Sequence, residues 1–528
     1  MTPVLQIVSY TLDYNTRAGP KRVLDNVTLT VGAGEVVGLV GESGSGKSTL
    51  AWAITRHLPK NAREISGAIR LNDLELLALS SKDMSAVRGR RIGMVFQDPA
   101  TALNPTLTLG RQVTEVLERH RGMTPAAAKV AAVEALNHVG LGAPDALLRR
   151  YPHEVSGGEK QRVVIATTFA CRPEVIIFDE PTTALDVITG ARVLELFRRL
   201  REETGVAALY ISHDLGLVSQ IADRVAVIHN GRIVEEGPAT SIFRAPREDY
   251  TSRLVASVPR PDRRLVHDGP QEAPVLAVRN LSVTYARPTL FGPRPVAGNQ
   301  GLTLELRQRE ILGVVGESGS GKSSLARAVT GLVDFAGEVK AGERQFLGPK
   351  QMDRAYRNRV QIIFQHPDTS LNPRQSVREI LARPLRLSGG NEAEIPRLLD
   401  QVRLPAGYVR RYPHELSGGE KQRVAIARAF APKPAVVICD EITASLDVSV
   451  QRTIIELLLT LRQDHGTAYL FITHDLNLVR QIAHRLAVMR RGELLDVLPV
   501  EAFATDGNLD NAHPYTRELN AATPKPVG

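Results

Sequence analysis

Apolar and polar residues alternate in several stretches of the chain, in the pattern of half-buried β-strands. Residues 5–14 and 27–31 show this alternation. Continuous apolar runs of strand length follow at 175–178 and 209–212, which predicts strands buried on both faces. The first part of the chain therefore combines an antiparallel sheet with a parallel one.

Helical patterns stand between these strands. Residues 48–56 and 159–170 predict helices, and the Ala- and Leu-rich residues 124–150 predict a helical subdomain. Residues 94–105 begin as a short apolar strand and become a turn. Alternating strands and helices predict an α/β fold.

A glycine-rich turn breaks the apolar run within residues 35–49. Gly41, Gly46, Lys47 and Ser48 fit the spacing G-x-x-x-x-G-K-[ST], in which backbone N–H groups of the loop and of the following helix converge on phosphate oxygens. In this motif Lys47 contacts the β- and γ-phosphates and Ser48 binds Mg²⁺. The stretch predicts a nucleotide-binding loop.

The same loop occurs a second time, at residues 310–324. Gly316, Gly321, Lys322 and Ser323 stand at the same spacing. A lone glycine-rich turn cannot account for both occurrences, so the chain is predicted to hold two nucleotide-binding units in tandem.

Matching residues of the two halves keep a fixed separation over one segment. The phosphate loops lie 275 residues apart, and Gln97 and Gln365 lie 268 apart. From the Ser-Gly-Gly turns at Ser156 and Ser417 to the histidines that follow, the separation stays at 261. A segment that holds several groups around one phosphate does not tolerate changes in length, so this segment is predicted to be catalytic.

The repeat sets the domain organisation. Two domains are expected, at 1–258 and 275–528, joined by a Pro- and charge-rich linker at 259–274. Of the 528 residues, 43% are hydrophobic and 23% charged, so each half can bury a core.

A net charge of +9 allows a solvated surface, a membrane-proximal surface or a nucleic-acid-binding surface. The charge is spread along the chain without the interleaved aromatic residues of a single-strand binding surface, which argues against nucleic acid. The two cysteines, Cys171 and Cys439, exclude a disulfide framework and any metal cluster built from cysteine alone. No signal peptide and no membrane span is expected, so any membrane role would come through partners.

Together the motifs resemble the ABC ATPase family over nearly the whole chain, twice. The phrases VGESGSGKS, FQDPATALNP and FQHPDTSLNP, YPHEVSGGE and YPHELSGGE, and ISHDL and ITHDL are similar to the ATPases of dipeptide, oligopeptide and nickel importers. DYT at 249–251 and HPYT at 513–516 add to this similarity. The resemblance implies, in each copy, a P-loop ABC ATPase domain with a RecA-like α/β core, an antiparallel β subdomain and a helical subdomain.

The resemblance also implies a role for each motif residue. The expected ATP-binding residues are Gly41, Glu42, Ser43, Gly44, Ser45, Gly46, Lys47, Ser48, Thr49 and Tyr14 in copy one, Gly316, Glu317, Ser318, Gly319, Ser320, Gly321, Lys322, Ser323, Ser324 and Tyr285 in copy two, and the turn residues Ser156, Gly157, Gly158, Ser417, Gly418 and Gly419. The expected Mg²⁺ ligands are Ser48, Gln97, Asp179, Ser323, Gln365 and Asp440. Glu180 and Glu441 are expected general bases, and His213 and His474 would contact the γ-phosphate.

In this family the two copies dock head to tail. Each phosphate loop would then face the Ser-Gly-Gly turn of the other copy, and both sites are expected to be competent. One departure stands beside the second site, where Ile442 replaces the proline that usually follows the Asp-Glu pair.

The sequence therefore predicts the ATP-hydrolysing, energy-coupling subunit of an importer for peptides or a related small solute. It is expected at the cytoplasmic face of the inner membrane, as a peripheral protein with two integral-membrane permease subunits and an extracytoplasmic solute-binding protein. Dipeptides, oligopeptides, glutathione, opines and metal chelates all remain open as solutes, and the direction of transport rests on the resemblance.

Two other classes of tandem ATPase fit the sequence less well. A ribosome-associated tandem ABC ATPase would carry a long charged helical linker, whereas 259–274 is short and Pro-rich. A DNA-repair ATPase would carry zinc-binding cysteines or large insertions, which this sequence lacks.

Overall fold

The computed structural model describes residues 3–17, 19–182, 185–260, 263–289, 292–444, 446–504 and 507–524. Two compact units are present, one running to Val258 and also including Pro524, and the other spanning Pro259–Thr523. Each contains a four-stranded antiparallel sheet, a six-stranded mixed sheet and a group of helices.

The elements of the first unit follow the predicted order. Its strands and helices are β1 Pro3–Thr16, β2 Gly19–Gly32, β3 Val36–Val40, α1 Lys47–Ile54, β4 Ala62–Leu71, β5 Leu74–Glu75, α2 Ser81–Val87, β6 Ile92–Val95, α3 Pro99–Ala102, α4 Leu109–Arg121, α5 Pro125–His138, α6 Pro144–Leu148, α7 Gly157–Ala170, β7 Val175–Asp179, α8 Val187–Thr204, β8 Ala207–Ile211, α9 Leu215–Ile221, β9 Arg224–His229, β10 Arg232–Pro238, α10 Ala239–Arg244 and α11 Asp249–Ala256.

The second unit repeats this order. Its elements are β11 Pro274–Thr289, β12 Gly292–Arg307, β13 Ile311–Val315, α12 Lys322–Val329, β14 Ala336–Ala341, β15 Arg344–Phe346, α13 Arg354–Arg359, β16 Val360–Ile363, α14 Pro367–Ser370, α15 Val377–Ser388, α16 Ile395–Gln401, α17 Gly418–Phe430, β17 Val436–Asp440, α18 Val448–His465, β18 Ala468–Ile472, α19 Leu476–Ile482, β19 Arg485–Arg490, β20 Glu493–Pro499 and α20 Pro514–Ala522.

Both six-stranded sheets have the same topology. The strand order is β10-β9-β3-β8-β7-β6 in the first unit and β20-β19-β13-β18-β17-β16 in the second. All neighbours pair in parallel except β9 with β10 and β19 with β20. The predicted α/β fold with a separate antiparallel sheet is confirmed in each copy.

The central sheet has a hydrophobic core on each face. Along β3, Val37 and Leu39 pack toward the antiparallel sheet and α1, whereas Val36 and Val40 pack toward the helices on the other face. This alternation follows from the two-residue period of a strand. Because β3 is packed on both faces, the position of the loop that follows its carboxyl end is fixed.

Two predicted segments differ in detail from the structure. The turn expected after Gln97 contains the short helix α3, because Asp98 accepts a hydrogen bond from the N–H of Ala100 and Pro99 occupies the first helical position. The helical pattern of 124–150 is broken into α5 and α6, with Gly140 at a positive φ of 68° between them.

The segment predicted as a linker, 259–274, makes contacts within the second unit. Val266 is buried, and the N–H of Leu265 donates to the carbonyl of Gln481 at 2.8 Å. Pro261 and Asp262 lie outside the described residues. Among the described residues, no helix has the length and apolar character needed to cross a membrane.

Candidate active sites

The first phosphate loop joins β3 to α1. Gly41 has φ 158° and Gly46, which precedes the helix, has φ 108°. A Cβ on Gly41 would collide with the carbonyl oxygen of Ile228, so the loop requires glycine there. Lys47 is 5% exposed, and its Nζ donates to the carbonyls of Gly41 and Glu42, both at 2.8 Å. A buried ammonium therefore lies over the loop.

The second loop joins β13 to α12 in the same conformation. Gly316 has φ 154° and Gly321 has φ 98°. Lys322 Nζ donates to the carbonyls of Gly316 at 2.8 Å and Glu317 at 2.9 Å. It also donates to Ser320 Oγ at 3.3 Å. Both copies thus present the lysine and the helix N-terminus that bind phosphate.

A buried carboxylate lies beside each loop, at the end of β7 or β17, which is two strands away from the strand that carries the loop. Ser48 Oγ donates to Asp179 Oδ1 at 3.0 Å, and Ser323 Oγ donates to Asp440 Oδ1 at 3.1 Å. Burial raises the pKa of Asp179 and of Asp440. The hydrogen bond from the serine lowers each pKa, but by less than burial raises it. A buried carboxylate beside a hydroxyl is a donor set that suits Mg²⁺, because a hard cation binds oxygen ligands and offsets the desolvation of the charge.

Glu180 lies between two polar side chains of its copy. Gln97 Nε2 donates to Glu180 Oε2 at 3.0 Å, and His213 Nδ1 lies 3.0 Å from Glu180 Oε1. Hydrogen bonding to Glu180 raises the pKa of His213. The amide, carboxylate and imidazole predicted for one site are thus brought together.

The second copy repeats this cluster with a longer imidazole contact. Gln365 Nε2 donates to Glu441 Oε2 at 3.1 Å, whereas His474 Nδ1 lies 3.6 Å from the same oxygen. Pairing with His474 lowers the pKa of Glu441, and pairing with Glu441 raises the pKa of His474.

Both glutamates have left-handed backbone conformations, with φ 49° at Glu180 and at Glu441. The backbone N–H of each donates to the carbonyl of the last residue of the adjacent strand. The acceptor is Ile211 at 2.9 Å for Glu180 and Ile472 at 3.0 Å for Glu441. These bonds hold the residue after the strand in a strained conformation that aims its side chain toward the histidine.

The predicted aromatic residues contact the helix that follows each loop. Tyr14 Oη lies 3.3 Å from Thr49 Oγ1, and Tyr285 Oη donates to Ser324 Oγ at 3.2 Å. Both tyrosines are half-buried.

The Ser-Gly-Gly turns form the N-termini of α7 and α17. Ser156 Oγ accepts from the N–H of Glu159, and the Glu159 carboxylate accepts from the N–H of Ser156. Ser417 and Glu420 form the same reciprocal cap. Ser156 and Ser417 are exposed, so each copy presents this turn on its surface.

Sequence reasoning missed one pair of residues at the loops. Tyr250 Oη accepts a hydrogen bond from the N–H of Glu42 at 3.2 Å, and Tyr515 Oη accepts one from the N–H of Glu317 at 3.0 Å. The sequence signal for this pair is the recurrence of Tyr-Thr in DYT and HPYT, which by itself marks only a resemblance.

Comparison with known proteins agrees with this geometry. The chain matches the family described as ABC transporter over residues 24–183 and 299–444. Residues 234–280 match the family described as oligopeptide/dipeptide transporter, C-terminal region.

Relatives match over nearly the full length. The chain is 39% identical to the peptidoglycan transport ATP-binding protein YejF of Agrobacterium fabrum, covering 98% of this chain and 96% of that protein. It is 40% identical to the glutathione import ATP-binding protein GsiA of Escherichia coli, covering 94% of this chain and 86% of that protein. With two intact loops and two carboxylate clusters, the chain belongs to the ABC transporter family as an ATPase with two tandem ATP-binding repeats.

Proposed function

We propose that this chain is the energy-coupling subunit of an importer for peptides or a related small solute. One nucleotide-binding domain would lie in 1–258 and the other in 275–528, joined by 259–274. The observation that carries the proposal is the repeated cluster of phosphate loop, buried aspartate, glutamate and histidine in a chain that matches transport and import ATP-binding proteins over nearly its whole length.

The solute class rests on two similarities. One relative is named for glutathione import, and glutathione is a peptide. The match of 234–280 is to a region of oligopeptide and dipeptide transporters. The ribosome-associated alternative is not favoured, because the full-length relatives are named for transport and import.

Each site has the groups that phosphoryl transfer requires. Lys47 and Lys322 would contact the β- and γ-phosphates, and His213 and His474 the γ-phosphate. The ion would be held by the oxygen ligands Ser48, Gln97 and Asp179 in copy one and Ser323, Gln365 and Asp440 in copy two. Mg²⁺ would supply charge neutralisation on the phosphate oxygens.

The contacts of Glu180 suggest how its basicity is linked to the nucleotide. Gln97 and His213 each contact one oxygen of this carboxylate. The same two side chains are proposed to engage the ion through Gln97 Oε1 and the γ-phosphate through His213 Nε2, so Glu180 would be coupled to both through its hydrogen bonds. Its carboxylate would then accept a proton from the attacking water.

The finer arrangement is also a proposal. Each phosphate loop would complete its site with the Ser-Gly-Gly turn of the other copy, and ATP would favour the closed arrangement over the open one. The exposure of Ser156 and Ser417 at helix N-termini supports this, because such termini attract phosphate.

The proposed partners are two integral-membrane permease subunits and an extracytoplasmic solute-binding protein, with this chain at the cytoplasmic face of the inner membrane. The test is to purify the tagged chain from gently solubilised native cells. We expect two membrane subunits to accompany it, with ATPase activity stimulated by the binding protein. A chain with Glu180→Gln and Glu441→Gln should keep the subunits and lose the stimulation. Recovery of ribosomes or nucleic acid without membrane subunits would overturn the proposal.

A further inference from the structure

A tyrosine near the end of each copy reaches the start of the phosphate loop. Tyr250 Oη accepts from the backbone N–H of Glu42, and Tyr515 Oη accepts from that of Glu317. These glutamates are the second residues of the two loops, and Lys47 and Lys322 donate to their carbonyls. We propose that Tyr250 and Tyr515 are positioning residues that hold the loops in their nucleotide-binding conformation.

The helices that carry the tyrosines are fastened to the central sheets. In the first unit, the carboxylate of Glu235 on β10 accepts from the N–H groups of Arg247 and Glu248, just before α11, at 2.9 and 3.1 Å. In the second unit, Asp496 on β20 accepts from the N–H of His513 at 3.0 Å, just before α20. A carboxylate at a helix N-terminus is favourable for the helix dipole as well. Each tyrosine is therefore held relative to the sheet from which its loop emerges.

The last residue of an adjacent strand packs on each tyrosine ring. His229, at the end of β9, stacks on Tyr250 with ring centroids 3.9 Å apart. Arg490, at the end of β19, lies over the Tyr515 ring at 4.6 Å. Arg490 Nε is also 3.6 Å from the carboxylate of Glu317. Tyr515 is 2% exposed, so the second tyrosine is the more tightly enclosed.

These contacts give the hydroxyl a specific task. A backbone N–H in a partly buried loop needs an acceptor, and here the tyrosine provides it. Removing the hydroxyl frees the first turn of the loop, so that the lysine and the N–H groups must be ordered again when nucleotide binds. ATP affinity would then depend on the docking of α11 in one copy and of α20 in the other.

The test replaces one hydroxyl at a time in the full-length chain. Tyr250→Phe is examined in a chain with Lys322→Ala, and Tyr515→Phe in a chain with Lys47→Ala, so that one loop alone dominates binding. The probe is a fluorescent ADP analogue, which reports affinity without hydrolysis. Loss of one neutral hydrogen bond should weaken binding about three- to tenfold, with at least as large an effect at Tyr515.

Two buried tyrosines away from the loops serve as matched controls. Tyr10 Oη donates to Glu64 Oε1 at 2.6 Å in the antiparallel sheet, and Tyr469 Oη donates to the carbonyl of Leu458 at 2.7 Å from the opposite end of its strand. Tyr10→Phe and Tyr469→Phe should lower the melting temperature and leave ADP affinity unchanged. In chains with both lysines intact, Tyr250→Phe and Tyr515→Phe should raise KM for ATP and change kcat less than about twofold.

Unchanged ADP affinity in Tyr250→Phe and Tyr515→Phe would overturn the inference, as would equal weakening in the controls. The inference requires nucleotide binding at the loops but no particular solute or partner. Failure to recover membrane subunits would therefore overturn the proposed import function and leave this result standing.

Discussion

Arg462 donates two hydrogen bonds to Asp268, from Nη1 to Oδ1 at 3.0 Å and from Nη2 to Oδ2 at 2.8 Å. The arginine side chain is 2% exposed and lies on α18, whereas Asp268 belongs to the segment 259–274. Burial alone would raise the pKa of Asp268, but hydrogen bonding and charge from Arg462 outweigh it and lower that pKa. The pair fastens the segment predicted as a linker to the second unit.

Asp268→Asn should therefore loosen this segment. A buried guanidinium that loses its anion costs about 1–2 kcal/mol in local stability, so trypsin should cut after Arg263 or Arg264 about 5- to 30-fold faster. Glu272→Gln removes an exposed carboxylate from the same segment and serves as the control. Equal cleavage rates in Asp268→Asn and the unaltered chain would contradict this reading of the pair.

The matching arginine of the first unit also pairs with a carboxylate, but from a different position in the chain. Arg201, at the position matching Arg462, donates to Asp223 Oδ2 at 2.6 Å, and the N–H of Val36 donates to the same oxygen at 2.8 Å. His484 occupies the position of Asp223 in the second unit, where its Nδ1 accepts from the backbone at 3.0 Å. A carboxylate is thus present beside the arginine in both copies, but from different parts of the chain.

This substitution predicts a rescue. His484→Asp in the Asp268→Asn chain should provide a carboxylate beside Arg462 and an acceptor for the N–H of Ile311, as Asp223 does in the first unit. The free energy of unfolding should return toward that of the unaltered chain, as chemical denaturation would measure. Protease resistance of the segment should stay low, because His484 Nε2 also contacts the Asp268 carbonyl at 2.8 Å and that contact is lost. If the free energy of unfolding stays low, Arg462 needs more than a nearby carboxylate.

The matching clusters at Glu180 and Glu441 predict two competent sites. Glu180→Gln and Glu441→Gln should each lower ATP hydrolysis by at least half, and the double variant should lower it about 10²- to 10⁴-fold, because the general base is lost from both sites. Steady-state ATPase assays on the purified chain would measure this. One silent substitution would show that the sites are unequal.

The histidine pairs predict a pH-dependent stability. Glutamate raises the pKa of His213 and of His474, so the folded protein holds these protons more tightly than the unfolded chain. The resulting stabilisation is complete below the unfolded pKa of about 6.5 and disappears as pH rises through the folded pKa. The difference in free energy of unfolding between the unaltered chain and Glu180→Gln should therefore shrink as the pH rises above about 6.5.

Denaturation at several pH values would measure this difference. Glu441→Gln offers the comparison. His474 Nδ1 lies 3.6 Å from the Glu441 carboxylate, whereas His213 Nδ1 lies 3.0 Å from that of Glu180, so a weaker pH dependence is expected for Glu441→Gln. A difference that does not vary with pH in either variant would argue against charged pairs.

Removal of the divalent ion should separate binding from hydrolysis. Ser48 with Asp179, and Ser323 with Asp440, form the oxygen donor sets proposed for Mg²⁺. With excess EDTA, hydrolysis should fall at least about 100-fold, because the phosphate charge is no longer neutralised, while ADP binding through the loops remains measurable. Undiminished ATP hydrolysis in EDTA would show that the reaction does not require a divalent ion.

The sequence was sufficient where function depends on local spacing. The phosphate loops and the Asp-Glu pairs could be placed because parallel strands bring their carboxyl ends to one edge, and the structure shows these side chains in contact. The role of Tyr250 could not be found in this way, since 208 residues separate it from Glu42. The same holds for Arg462 and Asp268, because the Pro- and charge-rich composition of 259–274 predicts a flexible connection and says nothing about a buried arginine elsewhere.

The left-handed conformation of Glu180 and Glu441 sets stability against activity at these two positions. Glycine adopts a φ of 49° without the penalty of a Cβ, so a screen for thermostable variants at a pH where the histidine pairs no longer stabilise the fold would favour it at 180 and at 441. Such a screen would select chains that fold better and lack the proposed base at both sites. Any stabilised form of this protein should therefore be sought with both positions held constant.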